Sequence, residues 1–423
     1  MTSNTTKSIK VIHLVPFLSF GGAEKVASMI AQKRQDIQEK ILMCYTKQTY
    51  TTSVPVNSLN IEKYTSYDIF YKQYGILKKM KKLFIVILIG IKLFLYFKKE
   101  QPDIIVVHSE VIRRSLIICK ILWKLTLKIT PSPKVVCVLH SATLITNLFR
   151  QQFPNSYYIS PSAGTKIYYE QKYPELKKRI TIIPNPVNIY KDETSKETTL
   201  EPHIKKLLNN PKIIKIISVG RLSKEKGQWH FIRGLWYLKN KKKLNVHGII
   251  IGANAGLKNN LEKLITSLNM QNYIHLLGHK NNPYPYMRKS TLLWFTSIQE
   301  TFGLVLIEAM MLKLPVVATD IHYGPREILN YSKDYKRLLR NKFIITDYGI
   351  LTPKMEDSFL TNEPLTKKEL ININAILKLL ADTQLKNKLK NQAFNYSSNI
   401  YEPKHIIKQY HTFYRRILRQ IKT

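Results

Sequence analysis

Short apolar runs alternate with stretches of helical periodicity along most of this 423-residue chain. In the first part, Ile9–Val15, Ile41–Thr46, Asp103–Val107, Lys134–Leu139, Tyr157–Ser160 and Ile180–Ile183 read as strands. Helices are predicted from about Ala23, across Leu83–Phe97 and over Val111–Ile129, while Thr49–Tyr74 has no period and reads as loop. From Asn188 to Pro211 the character shifts to Lys, Asp, Glu, Thr and Pro, and the alternation then restarts. Strands are predicted at Ile213–Val219, Val246–Gly252, Tyr273–Leu277, Thr291–Phe295 and Pro315–Thr319. The helices between them fall at Gln228–Lys239, Leu257–Leu268 and just after Gly303. Three helices close the chain from Leu365 onward, the last of them, Lys404–Ile421, basic and amphipathic. Strands alternating with helices predict parallel α/β sheets, and the length calls for two domains. The expected division is 1–188, a linker at 189–211, a second domain at 212–400, and a helix at 401–423 packing back on the first domain.

The chemistry concentrates in the second half. Glu308 lies in a stretch, Leu304–Leu312, that is apolar on nearly every face, so the helix is buried and its carboxylate needs a partner. Two readings stay open from that segment alone. Glu308 is a core carboxylate paired with a nearby cation, or, with Glu300 just ahead of the helix, it holds a polar ligand such as a sugar hydroxyl. Earlier in the half, Ser218-Val219-Gly220-Arg221-Leu222-Ser223-Lys224-Glu225-Lys226-Gly227 ends a strand in glycine and sets an arginine and a lysine ahead of a helix. That arrangement suits a diphosphate. It has neither the spacing of a Walker loop nor that of a GxGxxG dinucleotide turn. Near the start, Gly21-Gly22 stands between a strand and a helix, either a tight turn or an anion site. His140 follows the Lys134–Leu139 strand, at the end where open α/β sheets bind ligands, and reads equally as a structural histidine.

The Gly-Arg-x5-Gly turn with its lysine, the Glu300-x7-Glu308 pair, Gly21-Gly22 and the segment Thr319–Leu329 together resemble retaining GT-B glycosyltransferases of family four. The similarity is to bacterial members that build lipopolysaccharide, O-antigen and capsule, and it runs from about Ile9 to the C-terminal helices. It implies two Rossmann-like domains facing across a cleft, followed by C-terminal helices. It also implies transfer of a hexose or N-acetylhexosamine from a nucleotide-diphosphate sugar, UDP-linked, to a lipid-linked or lipopolysaccharide acceptor, with no further cofactor. On this resemblance Arg221 and Lys226, with Gly220, meet the donor diphosphate, Glu308 binds the ribose and Glu300 the transferred sugar. Phe302, Gly303 and Leu304 lie beside the sugar and phosphates, Gly21 and Gly22 near the β-phosphate, and His140 meets the donor sugar. No Asp-x-Asp occurs in the chain, so a metal-bridged diphosphate has no support in the sequence and no metal site is expected.

Composition adds partners. Lys and Arg number 67 against 28 Asp and Glu, a net charge of +39, which favours anionic partners. A basic nucleic-acid-binding protein or a non-catalytic scaffold is the alternative. The charge is spread along the chain with no nucleic-acid motif, so no nucleic-acid partner is expected. Leu83–Phe97 is apolar, interrupted by Lys92 and rimmed by lysines; it reads as a buried crossover helix, a helix resting on anionic lipid, or, last, a span. An anionic membrane surface is therefore an expected partner. The expected location is the cytoplasm, peripheral on the inner face of the cytoplasmic membrane. The three cysteines sit singly in apolar runs, which suits a reducing compartment.

Overall fold

The computed structural model describes residues 8–16, 22–32, 36–44, 54–60, 76–125, 133–140, 147–189, 200–331, 337–359, 361 and 363–419. Gly21 and most of the tyrosine-rich stretch at 49–74 lie outside them. The chain divides into two compact units, one made of 1–161, 165–186 and 403–423, the other of 162–164 and 187–402.

The first unit runs β1 (Ile9–Val15), α1 (Gly22–Ile30), β2 (Ile37–Met43), β3 (Val56–Ser58), α2 (Ile76–Glu100), β4 (Ile104–Val107), α3 (Glu110–Leu125), β5 (Lys134–Val138), α4 (Asn147–Gln152), β6 (Tyr157–Ser160), α5 (Ala163–Lys172) and β7 (Ile180–Ile182). Its strands form one parallel sheet in the order β3-β2-β1-β4-β5-β6-β7. A parallel sheet hides both faces, and β1 shows how one strand serves two cores. Ile12 and Leu14 point into the larger cluster beneath α2 and α3, while Val15 joins a smaller one with Ala27, Ala31, Ile41 and Met43.

The second unit runs α6 (Pro202–Asn209), β8 (Ile214–Val219), α7 (Gln228–Asn240), β9 (Val246–Ile251), α8 (Lys258–Ser267), β10 (Ile274–Leu276), α9 (Tyr284–Arg288), β11 (Leu292–Phe295), α10 (Leu304–Met311), β12 (Val316–Asp320), α11 (Pro325–Ile328), β13 (Ile344–Ile345), β14 (Ile350–Pro353), α12 (Lys367–Ala381) and α13 (Thr383–Ile400). Its sheet has the order β10-β9-β8-β11-β12-β14-β13, parallel except for the last pair. Neighbouring residues again divide between two cores: Ile217 and Leu293 pack with α10, Ile216 and Trp294 with α7 and α12. The last helix, α14 (Pro403–Arg419), belongs to the first unit.

Three local expectations change. The strand expected at Ile41–Thr46 begins and ends earlier, at Ile37–Met43, because Glu39 is satisfied by histidines and so tolerates a buried strand position. The segment 189–211 expected as linker contains α6, which buries Ile204, Leu207 and Leu208. The helix at Leu83–Phe97, read first as a buried crossover and second as a helix resting on lipid, hides one face only. Ile85, Ile89, Leu93 and Phe97 are inside, whereas Leu83, Phe84, Ile87, Ile91 and Leu95 stay exposed, Leu83 at 60%. Apart from Phe84, both sets recur at four-residue spacing, so each forms a stripe along α2. Among the described residues no helix is long and apolar enough to cross a membrane.

A buried polar cluster braces the second unit. Glu369, in the first turn of α12, accepts hydrogen bonds from Arg233 (2.8 Å and 3.0 Å) and lies 2.7 Å from His230 Nδ1. Burial works against the charged carboxylate, yet the bonds from His230 and Arg233 outweigh it and hold its pKa at about 2, below the ordinary 4.5. A depressed carboxyl pKa contributes stability that is complete above the ordinary value and lost as pH falls through the folded one. The cluster therefore stabilises the fold above about pH 4.5 and fades toward pH 2. Replacing Glu369 by Gln is expected to remove about 3 kcal/mol of unfolding free energy at neutral pH. The difference between variant and wild type should shrink below pH 4.5, as read from urea melts across that range.

Candidate functional site

In the second unit the candidate residues gather at the C-terminal ends of β8 and β11. β8 ends at Val219, and Gly220 continues the ladder by donating its N–H to Ile251 O at 2.9 Å. A Cβ at Gly220 would lie 3.3 Å from Lys226 Cδ and Cε, so the missing side chain makes room for the lysine to fold back over the strand end. Lys226 forms an ion pair with Glu300, both side chains mostly buried, and its ammonium stands 5.7 Å from the centre of the Phe295 ring. Arg221, next to Gly220, is exposed, and after the bond from Ser223 its charge helps hold the Glu225 carboxyl below its ordinary value. Lys226 is thus tied into an ion pair, and Arg221 stays exposed to solvent.

The turn between the two glutamates is set by glycine. Gly303 caps α10 with φ 96° and ψ 56°, a left-handed conformation that side-chain-bearing residues avoid. Glu300 Oε1 accepts the N–H of Thr301 at 3.2 Å. Phe302 is buried against Tyr401 with ring centres 6.0 Å apart. The Thr319–Leu329 segment packs onto this turn. Gly324 sits so close that a Cβ there would fall 1.9 Å from Phe302 O, and its φ is +59°. Further along that segment, Asp320 and Arg326, both fully buried, pair through Oδ1 and Nε at 2.9 Å, which anchors the turn.

Glu308 is a buried residue of α10. It is 8% exposed and its Oε1 accepts a hydrogen bond at 3.0 Å from the hydroxyl of Tyr284 on α9. Tyr284 carries no sequence motif, and only the fold brings α9 to α10. Leu304 opens α10 half-buried beside Gly303.

In the first unit Gly22 is exposed at the start of α1; Gly21 lies outside the described residues. His140 follows β5, and its Nε2 is 2.9 Å from Nδ1 of His108, which follows β4. The rings stack with centres 5.2 Å apart. Burial, and then the guanidinium of Arg113, push the His140 imidazole down to about 3, so the ring is neutral at physiological pH. Arg113 is itself 7% exposed, with Nε and Nη1 unbonded. His108, and the His13 behind it, carry no motif in the sequence.

With these features in place the chain can be set beside known proteins. Its two parallel-sheet units and C-terminal helices define a fold of the GT-B glycosyltransferase type. Residues 201–348 match the family described as glycosyl transferases group 1. The chain is 32% identical over 226 residues to an uncharacterized glycosyltransferase of Methanocaldococcus jannaschii, covering 52% of this chain and 54% of that protein. It is 42% identical over 113 residues to the N-acetylgalactosamine-N,N'-diacetylbacillosaminyl-diphospho-undecaprenol 4-alpha-N-acetylgalactosaminyltransferase of Campylobacter jejuni, covering 27% of this chain and 30% of that one. The chain thus spans about half the length of the first relative and under a third of the second. Among solved structures, Alr3699/HepE of Anabaena in complex with UDP and glucose superposes with a TM-score of 0.67 at 19% identity, over 96% of this chain and 99% of that one. At that identity the likeness concerns the fold.

The contact at Gly324 supplies a test. Gly324→Ala must move the turn that carries Phe302 and adopt a left-handed backbone, an expected loss of about 1–3 kcal/mol. Thermal unfolding reads that cost, and a variant as stable as wild type would show the two turns to be independent.

Proposed function

We propose that this protein is a glycosyltransferase that moves a hexose or N-acetylhexosamine from a nucleotide-diphosphate sugar. The observation that carries the reading is the Lys226–Glu300 pair standing beside the exposed Arg221, at the strand ends of a unit that matches glycosyl transferases group 1. Expelling a nucleoside diphosphate requires positive charge that strengthens as the bond breaks, and Arg221 with Lys226 supplies it. Glu300 orients Lys226 while the site is empty and takes up hydroxyls of the sugar when it is filled. Glu308, held by Tyr284, accepts the two ribose hydroxyls, and the Phe302-Gly303-Leu304 turn lines the sugar and phosphates. Gly220, Gly21 and Gly22 give backbone access to the diphosphate, and His140 meets the transferred sugar.

The donor is UDP-linked in this reading, supported by the likeness in fold to the Anabaena protein solved in complex with UDP and glucose. Transfer proceeds with retention and without a metal, the leaving phosphate accepting the acceptor's proton on the same face. The acceptor is lipid-linked, a growing chain for lipopolysaccharide, O-antigen or capsule; the Campylobacter relative is named for an acceptor on diphospho-undecaprenol. The protein then works at the inner face of the cytoplasmic membrane. The exposed Leu83, Ile87, Ile91 and Leu95 stripe of α2, followed by exposed Lys98 and Lys99, faces the bilayer. A nucleic-acid-binding or scaffold role is not favoured, since neither accounts for the paired charges at the strand ends.

Two measurements decide these points. Titration calorimetry with UDP and a panel of UDP-sugars should show binding that falls about 10- to 100-fold in Glu308→Ala, the worth of a charge-assisted hydrogen-bond pair. Affinity and transfer unchanged by that substitution would remove the donor assignment. In flotation at low salt, vesicles with anionic lipid should carry the protein upward, and Leu83→Gln with Ile87→Gln and Leu95→Gln should leave it at the bottom. A wild-type protein that stays down contradicts the membrane placement.

A further inference from the structure

Four polar side chains at the first sheet form one line. The register aligns Val11 with Glu39 and His13 with Ile41 across β1 and β2, and His13 with Val106 across β1 and β4. It aligns Val106 with Val136 across β4 and β5. Side chains alternate faces with period two, so Glu39 and His13 point the same way, and His108 and His140, just past the ends of β4 and β5, continue the line through their ring contacts. Each stands two residues further toward the C-terminal edge than the one before it. The result is a diagonal ladder that climbs from inside the sheet to its ligand-binding edge.

The ladder is hydrogen-bonded along its length. Glu39 Oε1 lies 3.3 Å from His13 Nε2, His13 Nδ1 lies 3.1 Å from His108 Nε2, and His108 Nδ1 lies 2.9 Å from His140 Nε2. At the lower end His411, on α14, approaches Glu39 Oε2 at 3.6 Å. His13, His108 and Glu39 are all buried. At the upper end, among the described residues, Nδ1 of His140 has no partner.

A chain of neutral imidazoles is polar. Each ring has one N–H donor and one bare nitrogen acceptor, so fixing the proton at one end orders every ring after it. An ionised carboxylate only accepts. We infer that Glu39 sets the tautomer of His140 through His13 and His108, leaving His140 with its proton on Nε2 and a bare Nδ1 that accepts a hydrogen bond at the site.

The sense follows bond by bond. His13 donates Nε2–H to Glu39, so its Nδ1 is bare and accepts Nε2–H from His108. Nδ1 of His108 is then bare and accepts Nε2–H from His140. Glu39, ionised, only accepts, and the order needs a single proton on His13, since an imidazolium there would donate from Nδ1 as well and reverse the sense. Burial pushes His108 well down, and His140 to about 3, so neither takes a second proton that would break the order. Glu39, His13 and His108 are positioning residues in this scheme, since none of them reaches the open end of the ladder. Under the glycosyltransferase reading, on which this last consequence rests, the bare nitrogen of His140 accepts a hydrogen bond from a hydroxyl of the sugar and does not donate.

Long-range proton–nitrogen correlation spectra of the full chain, labelled on histidine nitrogen, test the ladder directly at about pH 8, above the ordinary imidazole range. No sugar nucleotide is added, so lack of transferase activity would leave this result untouched. His140 is assigned by His140→Asn. The expected wild-type spectrum has His13, His108 and His140 each protonated on Nε2 and bare on Nδ1. A proton on Nδ1 of any of the three overturns the inference. In Glu39→Gln, whose amide can donate as well as accept, a second His140 population with Nδ1–H should emerge. Should the folded variant keep the wild-type His140 tautomer alone, the carboxylate does not set it. If that variant fails to fold, the three wild-type tautomers still decide.

Discussion

Burial of a parallel sheet on both faces is the constraint from which the rest of this molecule follows. Parallel strands need helical crossovers, and the crossovers cover both faces. Adjacent residues such as Ile216 and Ile217, or Leu293 and Trp294, therefore belong to separate cores. Charged groups inside are held by partners, as Glu369 is by Arg233 and His230, and Asp320 by Arg326; Arg113, with Nε and Nη1 unbonded, departs from this. What remains for chemistry is the C-terminal edge, where strands end and backbone and side chains become available. Gly220, Arg221 and Lys226 occupy that edge in one unit and His140 in the other.

Close packing at that edge also explains why its glycines matter. The turn that carries Phe302 and the turn that carries Gly324 approach to a distance no Cβ would permit. A lysine bends over Gly220 to reach Glu300. Charge and backbone are thus positioned by absence of side chains as much as by their presence. On the proposed reading, Glu300 holds Lys226 in place before any substrate arrives.

Much of this was legible along the chain. Period-two and period-3.6 patterns located most strands and helices, and the Gly-Arg turn and the spaced glutamates pointed to the residues that the fold places near strand ends. The misreadings share a cause. α6 was hidden in a charged stretch because only three of its residues face a core, and β2 was displaced because Glu39 breaks an apolar run. α2 kept its core and lipid readings open because apolar count does not tell which face finds a partner. Its exposed stripe is as hydrophobic as its buried one.

The sequence by itself determined the α/β alternation, the candidate donor residues and the basic balance, because each is written in local pattern or composition. Only the tertiary structure decided that Glu308 meets Tyr284, that Lys226 meets Glu300, and that Glu39, His13, His108 and His140 form one line. Those partners lie 24 to 95 residues apart, and strand register, which no local window contains, sets which of them face each other. A single-residue slip in the pairing of β1 with β4 would shift His13 against His108.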